Sequence, residues 1–357
     1  GKVEVSEVLP IVGAGNTQFY RNKMEYTFSN KRWLYENESL AELEHTNALG
    51  FHAPGRFDKV LAINKCWLQD DLGNEIRNFV YHFCIEHNFT FYDLREHTGL
   101  MRNLMIRNTR KGDWMVNVIF AKDEPDNREL LLNAISQKFN PHALNYCINE
   151  KLNDSTFDQT FISYNASFEI QEELNGLRFK ISTKYFFQTN PVQAEKLYEV
   201  ALNFAEISKN DVVYDLYCGT GTITCLAASR AKKAIGVEII DEAIQAAKIN
   251  ASINDITNVE FLVGDMKDVF NPQFYASHGS PDIIITDPPR SGMHPKVVEY
   301  LSEIKCPKIV YVSCNPATQA RDLALLDSTY KVIKSQAVDM FPQTHHVENV
   351  VLLELRS

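Results

Sequence analysis

The stretch Asp215-Leu216-Tyr217-Cys218-Gly219-Thr220-Gly221-Thr222 overlaps the end of a short apolar strand, Val212–Tyr217, and leads into a helical pattern. Glycines at 219 and 221 let a backbone turn sharply out of a strand and come close to a ligand. Downstream, the apolar runs Ala234–Val237, Val259–Val263, Ile283–Thr286 and Ile309–Val312 read as further short strands. Helical segments separate them, including Asp241–Asn254 with Asp241 as the expected N-cap. Upstream, Asn190-Pro191 caps and opens a helix whose Leu197, Val200, Ala201 and Phe204 share a face. Continuous apolar strands alternating with helices imply a mostly parallel sheet wound on both faces, and a last strand is expected at Val350–Leu355. Ligands of such sheets sit beyond the carboxyl ends of the strands.

The front of the chain reads differently. Phe19–Phe28, Val60–Ile63, Asn103–Ile106 and Met115–Phe120 are strand-like, and Glu75–Asn88 and Glu129–Asn140 are helical. Two domains are therefore expected: an α+β domain over 1–180, and the α/β domain over 181–357. The chain has 357 residues, 45% of them hydrophobic, which suffices for two buried cores. No run reaches the ~18 apolar residues of a membrane span, and the start shows no signal-peptide core. Seven scattered cysteines without a C-x-x-C pair argue against a disulfide framework or a zinc site, and fit a reducing cytoplasm. The net charge of −10 argues against nucleic-acid binding by bulk charge. Two segments run against it. Residues 21–32 carry Arg21, Lys23, Lys31 and Arg32 against Glu25, and residues 95–111 carry Arg95, Arg102, Arg107, Arg110 and Lys111 against Glu96. Either could touch phosphate or simply face solvent.

Polar residues fall at successive strand ends. The third glycine of the dinucleotide fingerprint is absent, and Asp215 suits a cationic, amino-acid-bearing ligand better than a pyrophosphate. Glu238, 19 residues after Gly219, can accept from both hydroxyls of an adenosine ribose, and Asp265 can meet the adenine edge. Together these features favour S-adenosylmethionine over a nicotinamide dinucleotide. Asp287-Pro288-Pro289-Arg290 is a stiff loop that aims Asp287; alone, it would also suit an amino-group methyltransferase. Cys314, between a strand and a helix start, is positioned to be a thiolate, with the helix N-terminus expected to lower its pKa.

Carbon 5 of uracil is a poor nucleophile. A thiolate that adds to carbon 6 makes carbon 5 enolate-like, and a base must later remove the carbon-5 proton so that the thiolate can leave. Glu348 is a candidate base and His346 a rival. Gln188 can donate and accept toward a base edge or the methionine moiety, and Phe186 or Phe187 could stack on a base.

With these pieces in order, the sequence resembles the RNA uracil-C5 methyltransferase family that modifies ribosomal and transfer RNA. The matching motifs are Phe186-Phe187-Gln188-Thr189-Asn190, Asp215–Gly221, Gly236-Val237-Glu238, Asp287–Arg290, Ser313-Cys314-Asn315-Pro316-Ala317-Thr318 and Met340-Phe341-Pro342 through Glu348. The run Ser313–Asp322 looks most like the 23S ribosomal RNA branch. The resemblance implies a Rossmann-like S-adenosylmethionine-dependent methyltransferase domain behind a smaller central domain. It also implies Cys314 as nucleophile and Glu348 as proton acceptor. Gln188, Tyr217, Gly219, Glu238, Asp265 and Asp287 would contact the cofactor; Phe186, Asp287, Arg21 and Lys23 would contact RNA. Thr222 stands where relatives often have Asn.

Cys66 resembles the last ligand of a 4Fe–4S cluster whose other cysteines would lie upstream. No metal is expected in the chain as it stands, which resembles a shortened or compact member without the family's N-terminal oligonucleotide-binding barrel. The expected protein is a cytoplasmic monomer that acts on ribosomal RNA. The first rival is the same reaction on the T-loop uridine of transfer RNA; an amino-group methyltransferase and a non-catalytic RNA-binding assembly factor are the others.

Overall fold

A computed structural model describes residues 3–36, 38–39, 41, 43–156 and 158–356. They group into two units, one of Gln18–Glu172 with Ile181–Lys184, and one of residues 3–17, Glu173–Lys180 and residues 185–356. The first strand, β1 (Val5–Val12), belongs to the second of these.

In the first unit, β2 (Lys23–Ser29), β3 (Ala48–Ala53), β4 (Arg56–Ala62), β5 (Met101–Asn108), β6 (Trp114–Phe120), β7 (Ala143–Ile148) and β8 (Phe161–Ser163) form a sheet in the order β4-β3-β2-β5-β6-β7-β8. All neighbours are antiparallel except β6 and β7. A crossover joins that parallel pair, as such pairs require; here it contains α2 (Pro125–Phe139). α1 (Asp71–Glu86) starts at Asp70, whose side chain accepts from Leu72 N. Tyr26, Phe28, Leu104, Ile106, Val116 and Val118 alternate onto one face of the sheet and pack with Ile76, Val80, Leu131 and Ile135 of the two helices. The expected α+β organisation is present.

The hairpin of β9 (Glu169–Leu174) and β10 (Leu177–Ser182) leads to the second unit. There follow α3 (Pro191–Ala205), β11 (Val212–Leu216), α4 (Thr222–Ala228), β12 (Lys233–Glu238), α5 (Asp241–Ser252), β13 (Val259–Val263), α6 (Met266–Val269), α7 (Pro272–His278), β14 (Ile283–Thr286), α8 (Pro295–Ile304), β15 (Lys308–Ser313), α9 (Pro316–Leu326), β16 (Tyr330–Val338) and β17 (Glu348–Leu355). The sheet order is β1-β16-β17-β15-β14-β11-β12-β13. β15-β14-β11-β12-β13 are mutually parallel, and β17 runs antiparallel between β15 and β16. Tyr214 and Leu216 of β11 pack with residues of α6 to α9, including Phe270, Val297 and Leu323. The alternate residue Asp215 meets Thr224 of α4 on the other face. The strand order reverses between β11 and β14, the place where doubly wound sheets open a ligand crevice.

Three details differ from the sequence reading. Residues 3–17 were grouped with the front domain, but β1 pairs in parallel with β16. As an edge strand it is mostly exposed and lacks the apolar signature of a buried one. α5 has Ile240 at its cap, with no side-chain cap bond; Asp241 and Glu242 lie in its first turn, where their charge suits the helix dipole. β11 stops at Leu216, and Tyr217 lies beyond it in the turn, with φ +66°.

Asn190 does cap α3, accepting from Gln193 N at 3.2 Å, and Leu197, Val200, Ala201 and Phe204 are buried. Gly221 has φ +77°, and a Cβ there would lie 2.8 Å from Ala247 and 2.9 Å from Phe261. Gly221→Ala should therefore lower stability by ~1–3 kcal/mol in urea titration, through backbone strain and overpacking; an unchanged midpoint would show that the turn relaxes freely.

Candidate active site

The carboxyl ends of β11, β12, β14 and β15 bring most of the expected residues of this unit together. At the end of β11 the chain turns through Tyr217 in the left-handed region, a conformation rare for a bulky residue and concentrated at functional turns. Cys218 N donates to Val237 O at 3.0 Å, and Gly219 N to Glu238 Oε2 at 3.1 Å. Glu238 Oε1 accepts from the amides of Ile239 and Ile240 at 2.9 and 3.1 Å, so the carboxylate is fixed at its strand end. A Cβ on Gly219 would meet nothing within 4 Å, so its backbone faces open space. Asp215 is fully buried. Its Oδ2 accepts from Thr224 Oγ1 at 2.6 Å, while its Oδ1 has no hydrogen-bond partner among the described residues. Burial pushes this carboxyl up to about 7, with the charge of Asp287 adding and Thr224 opposing.

Asp287 follows β14, its amide donating to Leu216 O at 3.3 Å. Burial raises its carboxyl to about 7. The loop after it is braced from α9. Asn315 Nδ2 and Thr318 Oγ1 both donate to Arg290 O, at 3.0 and 3.2 Å. Buried Asp322 accepts from Met293 N and from Tyr311 OH, each at 2.8 Å. The run from Ser313 to Asp322 therefore braces the Asp287 loop as well as carrying Cys314.

β15 and β17 pair with Ser313 opposite Asn349, so the next residues along, Cys314 and Glu348, are neighbours. Glu348 is buried; burial first, then the charge of Asp287, pushes its carboxyl up to about 8, with Arg290 opposing. Cys314 is the one half-buried cysteine among the described residues; the other six are buried. The expectation of a lowered thiol pKa fails. The α9 dipole is met by the Asn315 side chain, which caps Ala317 N at 3.1 Å. Burial raises the thiol, the Glu348 and Asp287 carboxylates raise it further, and Arg290 opposes.

Tyr198 of α3, which the sequence reading did not single out, is buried beside this group. Its hydroxyl shares a hydrogen bond with the Gln188 side chain and feels Asp287, Asp215 and Glu348. Helical apolar spacing gives no means of telling such a ring from ordinary core. Arg290, quoted only as part of its motif, reaches His346 Nδ1 at 3.2 Å and is the cation facing both Cys314 and Glu348. This contact makes His346 a neighbour of the group.

The remaining expected residues are placed differently, and Asp265 stays near the group, its charge acting on the Tyr217 hydroxyl. Asp265 caps α6, and both its oxygens engage Lys267, at 3.2 Å from the amide and 2.5 Å from Nζ. Phe186 is 74% exposed, whereas Phe187 is buried against Phe179. Arg21 and Lys23 belong to the other unit. There, burial and the charge of Arg107 lower the Lys23 ammonium, and Glu25 lies 3.9 Å away.

Within the basic segment 95–111, Arg102 and Arg107 are not surface phosphate contacts, because both are buried. Arg102 donates to the carbonyls of Asn149, Lys151 and Asn153 and to Asp154, which ties down that loop. Cys66 lies in the hydrophobic core, its backbone clamped by Asn74. The iron–sulfur reading finds no support there, and among the described residues no three His, Cys, Asp or Glu side chains gather as a metal site.

The sequence profile described as tRNA (uracil-5-)-methyltransferase matches residues 94–266 and 275–356. The chain belongs to this family. An uncharacterized RNA methyltransferase of Bacteroides thetaiotaomicron is 52% identical over 363 residues, covering 100% of this chain and 80% of that protein. Another, from Porphyromonas gingivalis, is 50% identical and covers 99% of this chain and 78% of its own length. The crystal structure of a Pyrococcus abyssi tRNA (uracil-54, C5)-methyltransferase with S-adenosyl-L-homocysteine superposes with a TM-score of 0.78 at 27% identity, over 98% of this chain and 78% of that one. The family's S-adenosylmethionine-dependent fold is thus the fold of this chain, and no helix among the described residues is long and apolar enough to cross a membrane.

The Cys314–Glu348 pairing can be read chemically. Above pH 8 an ionised Glu348 opposes the thiolate, so Glu348→Gln should raise the rate of Cys314 alkylation by iodoacetamide roughly 3- to 10-fold at pH 9. Below about pH 7 Glu348 is protonated and the two proteins should react alike. Peptide mass spectrometry over time reads the rates, and equal rates at pH 9 would refute the coupling.

Proposed function

We propose that this protein methylates carbon 5 of a uridine in RNA, with Cys314 as covalent nucleophile and Glu348 as the base. The observation that carries this reading is the β15–β17 register, which sets a half-buried thiol beside a buried carboxyl at the mouth of a parallel sheet.

The residues present fit S-adenosylmethionine. The open space at Gly219, the unpartnered Oδ1 of Asp215 and the fixed carboxylate of Glu238 suit a cationic, ribose-bearing ligand. Gln188, Tyr217, Gly219, Glu238 and Asp287 would hold it; Asp265 would join on releasing Lys267. When bound, S-adenosylmethionine supplies an electrophilic methyl group.

The chain's own groups do the rest. Cys314 loses its proton, and its Sγ adds to carbon 6, sending the electron pair of the 5,6 double bond toward carbon 5. Once carbon 5 carries the methyl group, Glu348 takes its proton, the double bond re-forms and Sγ leaves as thiolate. With its pKa near 8, Glu348 rests protonated at neutral pH, so a cation beside Asp287 and Glu348 is what turns it into a base. Phe186, exposed before α3, is a stacking surface for the extruded base. Arg21 and Lys23 remain proposed phosphate contacts.

Ribosomal RNA is the first target, on the likeness of Ser313–Asp322 to the 23S branch. Transfer RNA is the second, favoured by the target named for the Pyrococcus abyssi enzyme.

A 5-fluorouridine-containing RNA tests the mechanism, because fluorine cannot be removed as a proton and elimination stalls. With S-adenosylmethionine, a denaturation-resistant adduct should form on ribosomal RNA fragments and be absent in Cys314→Ala. An adduct on transfer RNA alone would move the target. An adduct that persists in Cys314→Ala would remove the nucleophile from this reading. For the wild-type protein kcat/KM, which reports the free enzyme, should rise with pH through about 8 as Glu348 ionises; a kcat/KM that is flat between about pH 6 and 9 would argue against Glu348 as base.

A further inference from the structure

The two basic segments singled out in the sequence meet on the first unit, at the outer side of β4. Residues 31–33 run along this strand: Trp33 N donates to Val60 O at 2.8 Å and Val60 N to Lys31 O at 3.1 Å. Lys31 Nζ then bonds Asp93 Oδ1 at 3.0 Å, which ties the first segment to the loop that carries Arg95. Phe57 and Lys59, two apart on β4, share a face. Phe57 is 66% exposed, and the Arg95 guanidinium stands 5.6 Å from its ring centroid. Lys59 Nζ stands 5.9 Å from the half-buried Trp33 ring. The result is a stripe in which cations and rings alternate: Arg95, Phe57, Lys59, Trp33.

The carboxylates nearby do not cancel it. Asp58 is buried and accepts from Arg95 at 2.7 and 2.8 Å and from Arg56 Nε at 3.4 Å. Asp93 is also buried, and Glu38 pairs with Arg32. Lys31, Arg32, Arg56, Lys59 and Arg95 therefore outnumber these acids on a chain whose net charge is −10. The acids hold the cations in position from beneath, while Arg56, Phe57 and Arg95 remain exposed. A single exposed phenylalanine is ordinary on a protein surface; it is the place of this ring between cations, with Trp33 beside Lys59, that points to a ligand. It suits a strand of unpaired bases, which stack on rings while arginine and lysine meet the phosphates.

We infer that the Arg56–Lys59 strand, with Trp33 and Arg95, is a binding surface for single-stranded RNA. The inference rests on the RNA-methylating reading above. Phe57 takes the face of an unpaired base, and Lys59, Arg56 and Arg95 take its neighbouring phosphates.

Fluorescence anisotropy of the whole chain with a fluorescein-labelled, uridine-rich single-stranded RNA, over a salt series, tests it. Phe57→Ala and Lys59→Ala should each weaken binding about 5-fold or more. Lys59→Ala should also flatten the plot of log affinity against log salt by about 0.7, the share of one phosphate contact on a single strand. Melting temperature and the rate of Cys314 alkylation should stay at wild-type values. Phe57→Ala should leave binding to a blunt RNA duplex unchanged, because no base face is free there. Wild-type affinity and salt slope in both variants would overturn the inference and leave the stripe to a protein partner. Loss in Lys59→Ala alone would reduce it to a charge patch without stacking and overturn it as stated. Failure of the unaltered protein to bind any RNA would instead strike at the methylation reading.

Discussion

The register between β15 and β17 is the constraint on which the site depends. Parallel strands deliver their loops to one edge of a sheet, but consecutive strands of a doubly wound fold arrive there through long crossovers. β17 runs the other way, so its first residue, not its last, lies at that edge. Glu348 thus comes beside Cys314 across a hydrogen-bonded ladder. Gln319 locks this ladder: its Nε2 donates to Tyr311 O and Asn349 O, and its Oε1 accepts from Asn349 Nδ2 at 2.7 Å. A slip of one residue would turn Glu348 to the opposite face of the sheet.

Electrostatics follows from that packing. Asp215, Asp287 and Glu348 are drawn together where water is scarce, and each is pushed toward its neutral form. The thiol is held back by its own burial first, then by the charges of Glu348 and Asp287 when these are ionised. The resting site is therefore quiet, and a cationic ligand is the natural means of waking it. This is the reverse of the arrangement expected from a helix N-terminus alone. The dipole effect is a fraction of a charge and fades within a turn, whereas two nearby carboxylates and burial act directly on the sulfur.

Much of the C-terminal unit was legible in the sequence because buried parallel strands write themselves as continuous apolar runs; β13 and β14 match their expected bounds. Glu238, Asp287 and Cys314 could be picked out as candidates because each stands at or just past the end of such a run, and Glu348 because it stands just before the last one. What could not be read has physical reasons. β1 is an exposed edge strand whose side chains obey no apolar rule. The fates of Arg102 and Arg107 depend on which side of β5 and which loop they meet, and a charge count is blind to both. Tyr198 joins the acidic group through tertiary packing that local spacing does not encode. The brace of Asn315, Thr318 and Asp322 on the Asp287 loop is a contact between segments about thirty residues apart, so its motif could be quoted before its purpose could be seen.

The position of β17 has a further consequence, for the order of events during synthesis. It is the latest strand in the sequence, yet it lies inside the sheet, with β15 on one flank and β16 on the other. Until it emerges from the ribosome, β15 presents an open edge, and β1 and β16 have no ladder connecting them to the rest. A nascent chain thus cannot complete this unit piece by piece from its N-terminal end. Closure of the sheet and arrival of Glu348 beside Cys314 are a single step, so no half-made molecule can expose a finished sheet with an unguarded thiol.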